Sequence, residues 1–129
     1  RVRSWQIPEG ADIPILASEF HFGAVDRGVP SPGLSGSADQ RQRALSFAHY
    51  LASALADPRF VGVHWFQWID QSAAGRKDRE NHQCGFIDVA GKEYSELVEV
   101  VTQATQNMYR ARRKENRSTE QILFDLLAQ

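Results

Sequence analysis

Pro14-Ile15-Leu16-Ala17-Ser18-Glu19-Phe20 is a short apolar run that turns polar at its C-terminal end, the pattern of a buried parallel strand arriving at a ligand-binding face. From Asp39 to Asp57, Ala44, Ala48, Leu51, Ala52 and Leu55 recur at helical spacing, and Asp57-Pro58 closes the pattern. The spacing predicts a helix. Phe60-Val61-Gly62-Val63-His64-Trp65-Phe66 follows directly, β-branched and aromatic, and predicts a second strand with apolar residues on both faces. Strand, helix, strand in roughly fifty residues is a right-handed βαβ crossover, the unit of parallel sheets.

Outward from this unit, residues 21 to 38 form a loop punctuated by Gly23, Gly28, Pro30, Pro32, Gly33 and Gly36, long for a βα connection. Gln67 to Glu93 is a second, polar loop, within which Gly85-Phe86-Ile87-Asp88-Val89 predicts a short extra strand. A helix is predicted from Ser95 to Arg113, with Ser95 as its cap and Leu97, Val101, Ala104, Met108 and Ala111 on one stripe. Ser118-Thr119-Glu120-Gln121 has the capping-box pattern and opens a last amphipathic helix bearing Ile122, Leu123, Leu126 and Leu127 on one face. The expected organisation is residues 1–113 as one body, then a basic linker and C-terminal helix over 114–129.

Two parallel strands that are apolar on both faces leave one face and both edges to water when they stand alone. Such units belong in a larger doubly wound sheet or a closed barrel. Neither strand is followed by a Gly-rich phosphate fingerprint, so the barrel is preferred and the expected class is α/β. The opening Arg1-Val2-Arg3-Ser4-Trp5, without an initiator Met or a signal-peptide pattern, fits a piece of a longer chain.

Composition narrows the functional classes. Of 129 residues 42% are hydrophobic, enough apolar material for a core, and the formal net charge is −1, so neither nucleic acid nor an anionic membrane is an expected partner. The single cysteine, Cys84, rules out an internal disulfide framework and a cysteine metal site. His21, His49, His64 and His82 show no metal-motif spacing. The basic run Arg110, Arg112, Arg113, Lys114 and Arg117 falls at a helix C-terminus, where cations complement the dipole, and reads as a solvated helix end. No metal and no cofactor are expected.

Chemistry concentrates where the two strands end. Strand C-termini form the active face of a barrel, so Glu19 is a candidate nucleophile or base, although a lone strand-end glutamate is more often a salt-bridge partner. The second strand leaves through His64-Trp65-Phe66-Gln67-Trp68-Ile69-Asp70-Gln71. Indole faces stack on the C–H faces of sugar rings while Gln, His and Asp bond hydroxyls, so this composition suits carbohydrate. The competing reading is a Trp-rich core strand, which fits Trp65 better than Trp68.

Ser18-Glu19-Phe20-His21-Phe22-Gly23-Ala24 and Asp26-Arg27-Gly28, followed by His64-Trp65-Phe66-Gln67-Trp68, Asp70-Gln71, Gly75-Arg76, Glu80-Asn81, Gly85-Phe86-Ile87-Asp88 and Tyr94-Ser95-Glu96-Leu97-Val98, make a run of linked motifs in fixed order. Over residues 13 to 110 the chain resembles the C-terminal end of β-agarase-like enzymes of the clan A glycoside hydrolases, whose barrels also host β-galactosidases. The resemblance implies strands 7 and 8 with their helices from a (β/α)8 TIM barrel, plus a short terminal helix. It places the nucleophile on Glu19 and implies retaining hydrolysis of a β-linked galactan such as agarose. The clan's acid/base glutamate belongs to strand 4, outside these residues, so the chain alone is expected to be inactive. Implied substrate contacts are His21, His64, Trp65, Trp68, Asp70, Gln71, Arg76, Glu80 and Asn81. Expected partners are a galactan-type oligosaccharide or polysaccharide, and the remainder of the barrel or other copies of the chain; a self-associating, non-catalytic carbohydrate binder is the alternative. Secretion is implied by the resemblance alone. One departure stands out: where the family pattern leads to Asp-Gly-Glu-Asn-Tyr, this chain has Asp78-Arg79-Glu80-Asn81-His82.

Overall fold

The computed structural model describes residues 12–113 and 116–128; the opening Arg1-Val2-Arg3-Ser4-Trp5 and Lys114 of the basic run lie outside the described residues. The predicted crossover is present. Strand β1 (Ile15–Phe20) leads through two short strands, β2 (Gly23–Ala24) and β3 (Gly36–Ser37), to helix α1 (Gln40–Ala56), and then to strand β4 (Phe60–Trp65). β1 and β4 pair in parallel, with Ile15 opposite Phe60, Ala17 opposite Val63 and Phe20 opposite Trp65. Between Ala17 and Phe20 the register slips, three steps of β1 facing two of β4, so Ser18 and Glu19 sit at a bulge of the kind that re-aims a side chain at a strand end.

α1 forms because its apolar residues share one stripe and Asp39 caps it, accepting the Gln42 amide at 2.7 Å. Ala44, Phe47, Ala48, Leu51 and Ala52 on that stripe are buried. Helix α2 (Ser95–Arg112) lies along α1 and buries Leu97, Ala104 and Ala111. Helix α3 (Thr119–Leu127) seats Ile122 and Leu126 against both of them. Ser118 completes the predicted capping box with Gln121. Residues 118–128 therefore share one core with Phe20, Phe47 and Leu97, because an amphipathic helix of this length is stable only when its apolar face is covered.

Three local expectations are corrected. Residues 85–89 form no strand: Ile87 makes only isolated bridges to Ile69 and Glu93, since the Gly85 amide is taken by the Asp70 side chain and the Phe86 and Ile87 amides share the Trp68 carbonyl. Ser95 does not cap α2; it is the first helical residue, and the capping position belongs to Tyr94, whose ring is drawn inward to Asp70. The long loop after β1 is not wholly irregular, because β2 and β3 pair in parallel inside it. Gly23 permits that pairing, as a Cβ there would come within 2.4 Å of the Pro32 backbone.

The parallel pair stays open on one side. Leu16 is 49% and Val61 69% exposed, the apolar exposure expected of a parallel pair without neighbouring strands. No helix among the described residues is long and apolar enough to cross a membrane.

Candidate active site

At the C-terminal end of the sheet, Phe20 turns inward, stacking on Tyr50 at 4.0 Å and on Phe47 at 5.9 Å between ring centroids. Glu19, beside it at the bulge, is consequently left on the exposed side. Among the described residues its carboxylate forms no hydrogen bond or ion pair, so it stands open to solvent. β4, which pairs with β1, and the segment leaving it carry two indoles to opposite fates. Trp65 is a core residue: Nε1–H donates to the Cys84 carbonyl at 2.8 Å, and the ring stacks on Phe86 and meets Phe20 edge-on. Trp68 is 68% exposed, braced only along its edge by Phe86 at 5.6 Å. It is the one free indole face at this end of the sheet among the described residues.

The polar residues of the second loop also divide. Asp70 and Gln71 are buried and committed to the loop itself. The Asp70 carboxylate accepts the Tyr94 hydroxyl and the Gly85 amide, each at 2.7 Å. Burial pushes Asp70 above the usual carboxylate range, while those two bonds and nearby Arg43 pull it back. Gln71 donates to Glu80 at 3.1 Å and accepts the His82 amide at 2.7 Å. Glu80 also pairs with Arg76, 3.7 Å away, and Arg76 reaches Asp78 at 3.2 Å; Arg76 is exposed, while Glu80 and Asn81 are half-buried. His64 departs from the group, being exposed on the wall of a cavity of about 330 Å³ that it shares with Leu51, Val61, Met108 and Tyr109.

His21, two residues beyond Glu19, is held by packing. Its ring stacks on His82 at 5.9 Å, and its Nε2 lies against Gly33, where any Cβ would come within 2.3 Å. Burial lowers its pKa below 6.5; His82 and Arg43 act in the same sense, and Glu19 and Glu80 oppose them. The net effect favours the uncharged imidazole of His21, two residues from Glu19. His82 in turn bonds Ser31 through Nδ1 at 2.9 Å, tying the first loop to the second.

Sequence reasoning missed the group that joins these loops. Arg43 is fully buried on α1. Its Nε–H donates to the Phe22 carbonyl at 2.6 Å, one Nη to the Gly85 carbonyl at 2.8 Å, and the other to Gln40 and Gln83. Gln83 accepts the Ala24 amide and donates to the Arg27 carbonyl. The guanidinium lies 4.9 Å from the Tyr94 ring centroid and 5.6 Å from that of Trp65, and burial pushes it down to about 10. The available signal was spacing: Arg43 precedes Phe47 and Leu51 at intervals of four on the buried stripe of α1.

Arg79 occupies the position where the family pattern has glycine, and it keeps a glycine-like backbone, with φ of 69°. Left-handed geometry costs a side-chain-bearing residue about 1–2 kcal/mol, from which glycine's extra unfolded-state freedom subtracts about half. Arg79→Gly is therefore expected to raise stability by about 0.5–1 kcal/mol, or roughly 2–4 °C in Tm. A lower Tm in thermal denaturation would show that the Arg79 side chain contributes more than its backbone costs.

No family model matches the chain. It is similar to β-agarase B of Vibrio sp. (strain JT0107), 38% identical over 111 residues that make up 85% of this chain and 12% of that protein. It is also similar to β-agarase A of the same strain, 35% identical over 102 residues, 78% of this chain and 10% of the relative. Among solved structures, an exo-β-agarase superposes with a TM-score of 0.75 at 39% identity, covering 78% of this chain and 14% of that one. The chain thus spans about an eighth or less of the curated relatives that it matches. Similarity in sequence and in fold, over most of its own length, makes this chain an agarase-related protein that corresponds to one segment of those longer relatives.

Proposed function

We propose that these residues are the seventh and eighth βα units of a (β/α)8 barrel in a retaining β-glycosidase that cleaves a galactan of the agarose type. Glu19 is its nucleophile. The observation carrying this reading is an unencumbered, exposed carboxylate at a bulge ending a parallel strand, in a sequence related to agarases. In a barrel this end of the sheet is where reacting groups gather. Glu19 attacks the anomeric carbon as the glycosidic C–O bond breaks, and a second carboxyl, about 5 Å away on another strand, protonates the leaving oxygen. Water then cleaves the glycosyl-enzyme, activated by that same second group. The exposed Leu16 and Val61 support the reading from the packing side, since neighbouring barrel strands would cover them.

The Trp68 face supplies the platform for a galactose-type ring, with Arg76, Glu80 and Asn81 on the adjoining loop and His21 beside the nucleophile as its polar surroundings. Asp70 and Gln71 act one step removed, by holding that loop. In the complete protein carrying this segment, Trp68→Ala is expected to weaken agaro-oligosaccharide binding roughly ten- to thirtyfold, about 1.4–2 kcal/mol, the loss of one aromatic anchor. Titration calorimetry reads it directly, and an unchanged affinity removes Trp68 from the sugar site.

A further inference from the structure

We infer that Arg43 is a positioning residue, which fixes the gap between Glu19 and the Trp68 face by gripping both site loops from behind. The inference rests on the glycosidase reading above. One arm of the grip is the bond from Nε to the carbonyl of Phe22, three residues beyond Glu19 on the chain leaving β1. The other is the bond from Nη2 to the carbonyl of Gly85. Gly85 is tied to Asp70 through its own amide, and the next residue, Phe86, donates its amide to the Trp68 carbonyl at 2.9 Å and braces the Trp68 ring. A rigid planar group thus lies at the junction of two short chains of contact, one ending at the carboxylate and the other at the indole.

Magnitudes argue against packing as its purpose. Desolvating a guanidinium costs several kcal/mol, and replacing a whole buried ion pair by apolar residues of similar volume is often neutral or stabilising, so filling space does not call for a charged group here. Tyr94 and Trp65 already pack against the guanidinium, with Phe20 and Phe47 against Trp65. What an apolar residue lacks is donors that point in fixed, divergent directions at two carbonyls from different loops. Lysine lacks them too, since its ammonium is a point charge on a flexible stem. Displacing reacting groups by about 1 Å lowers turnover on the order of 100-fold, even when the cause lies away from the chemistry.

The test uses the complete protein carrying this segment, with Arg43→Lys and Arg43→Met, assayed well below the Tm at which circular dichroism shows each variant folded. Turnover of agaro-oligosaccharides is expected to fall about 100-fold in both, with their dissociation constants changing less than about threefold, since Trp68 still stacks. A purely structural role would lower Tm while leaving kcat of the folded fraction within about threefold, and that result overturns the inference. So does failure of both variants to fold, which would make Arg43 a requirement of the fold. Glu19→Gln, measured alongside, separates the two claims. If it stays active, the glycosidase reading fails; if it is inactive while the folded Arg43 variants keep wild-type kcat, only the positioning role fails.

Discussion

Replacing Glu19 by glutamine in the complete protein is expected to lower agarose turnover by at least roughly 10⁴-fold while leaving oligosaccharide affinity nearly intact; deleting a covalent nucleophile costs on this order or more. Glutamine matches the size of glutamate and carries no charge, so the exposed bulge after Ala17 keeps its shape and the sugar still meets Trp68. What disappears is the electron pair that forms the glycosyl-enzyme bond. The loss therefore falls on kcat, as expected for a group whose bonding is realised only along the reaction path. A sharper variant is Glu19→Gly with added azide. The small anion fits the vacated space and attacks from the nucleophile's face, giving a glycosyl azide of inverted configuration. Reducing-sugar release and product NMR read the two experiments. Turnover of Glu19→Gln within tenfold of wild type removes Glu19 from the chemistry.

The second large effect is on stability. Asp70→Ala is expected to cost about 3–5 kcal/mol, because removing one member of a buried charged network strands the others. The Tyr94 hydroxyl and the Gly85 amide lose their partner together, and the Arg43 guanidinium loses the leading counter-charge acting on it. Domains of this size have only about 5–15 kcal/mol in hand, so Tm should fall by roughly 10–20 °C. Tyr94→Phe removes one bond, leaves the Asp70–Arg43 attraction, and should cost only about 1–1.5 kcal/mol. Chemical denaturation of the 129-residue chain measures both. Equal losses for the two variants would mean that Arg43 does not depend on Asp70, contrary to the network described.

Several of these residues were visible as chemistry before their roles were. Glu19 and Trp68 stood out because strand ends and indole-rich exits have recognisable patterns, and the structure leaves both side chains accessible. Asp70 and Gln71 stood out for the same reason and proved to be buried. A polar residue in an irregular loop carries no periodicity to say which way it faces; its burial depends on which distant segment arrives beside it. Tyr94, 24 residues on, decides the matter for Asp70, and Arg43 on α1 decides it for the carbonyls of Phe22 and Gly85.

By itself the sequence determined the strand–helix–strand crossover, the two helices that follow it and the capping box at Ser118, since these follow from local spacing and caps acting over a few residues. Only the tertiary structure decided that Trp65 fills the core while Trp68 stays open, that residues 85–89 never become a strand, and that a helix arginine binds the two site loops together. Each of those outcomes is set by hydrogen bonds and ring contacts between residues far apart in the chain, where local pattern has no reach.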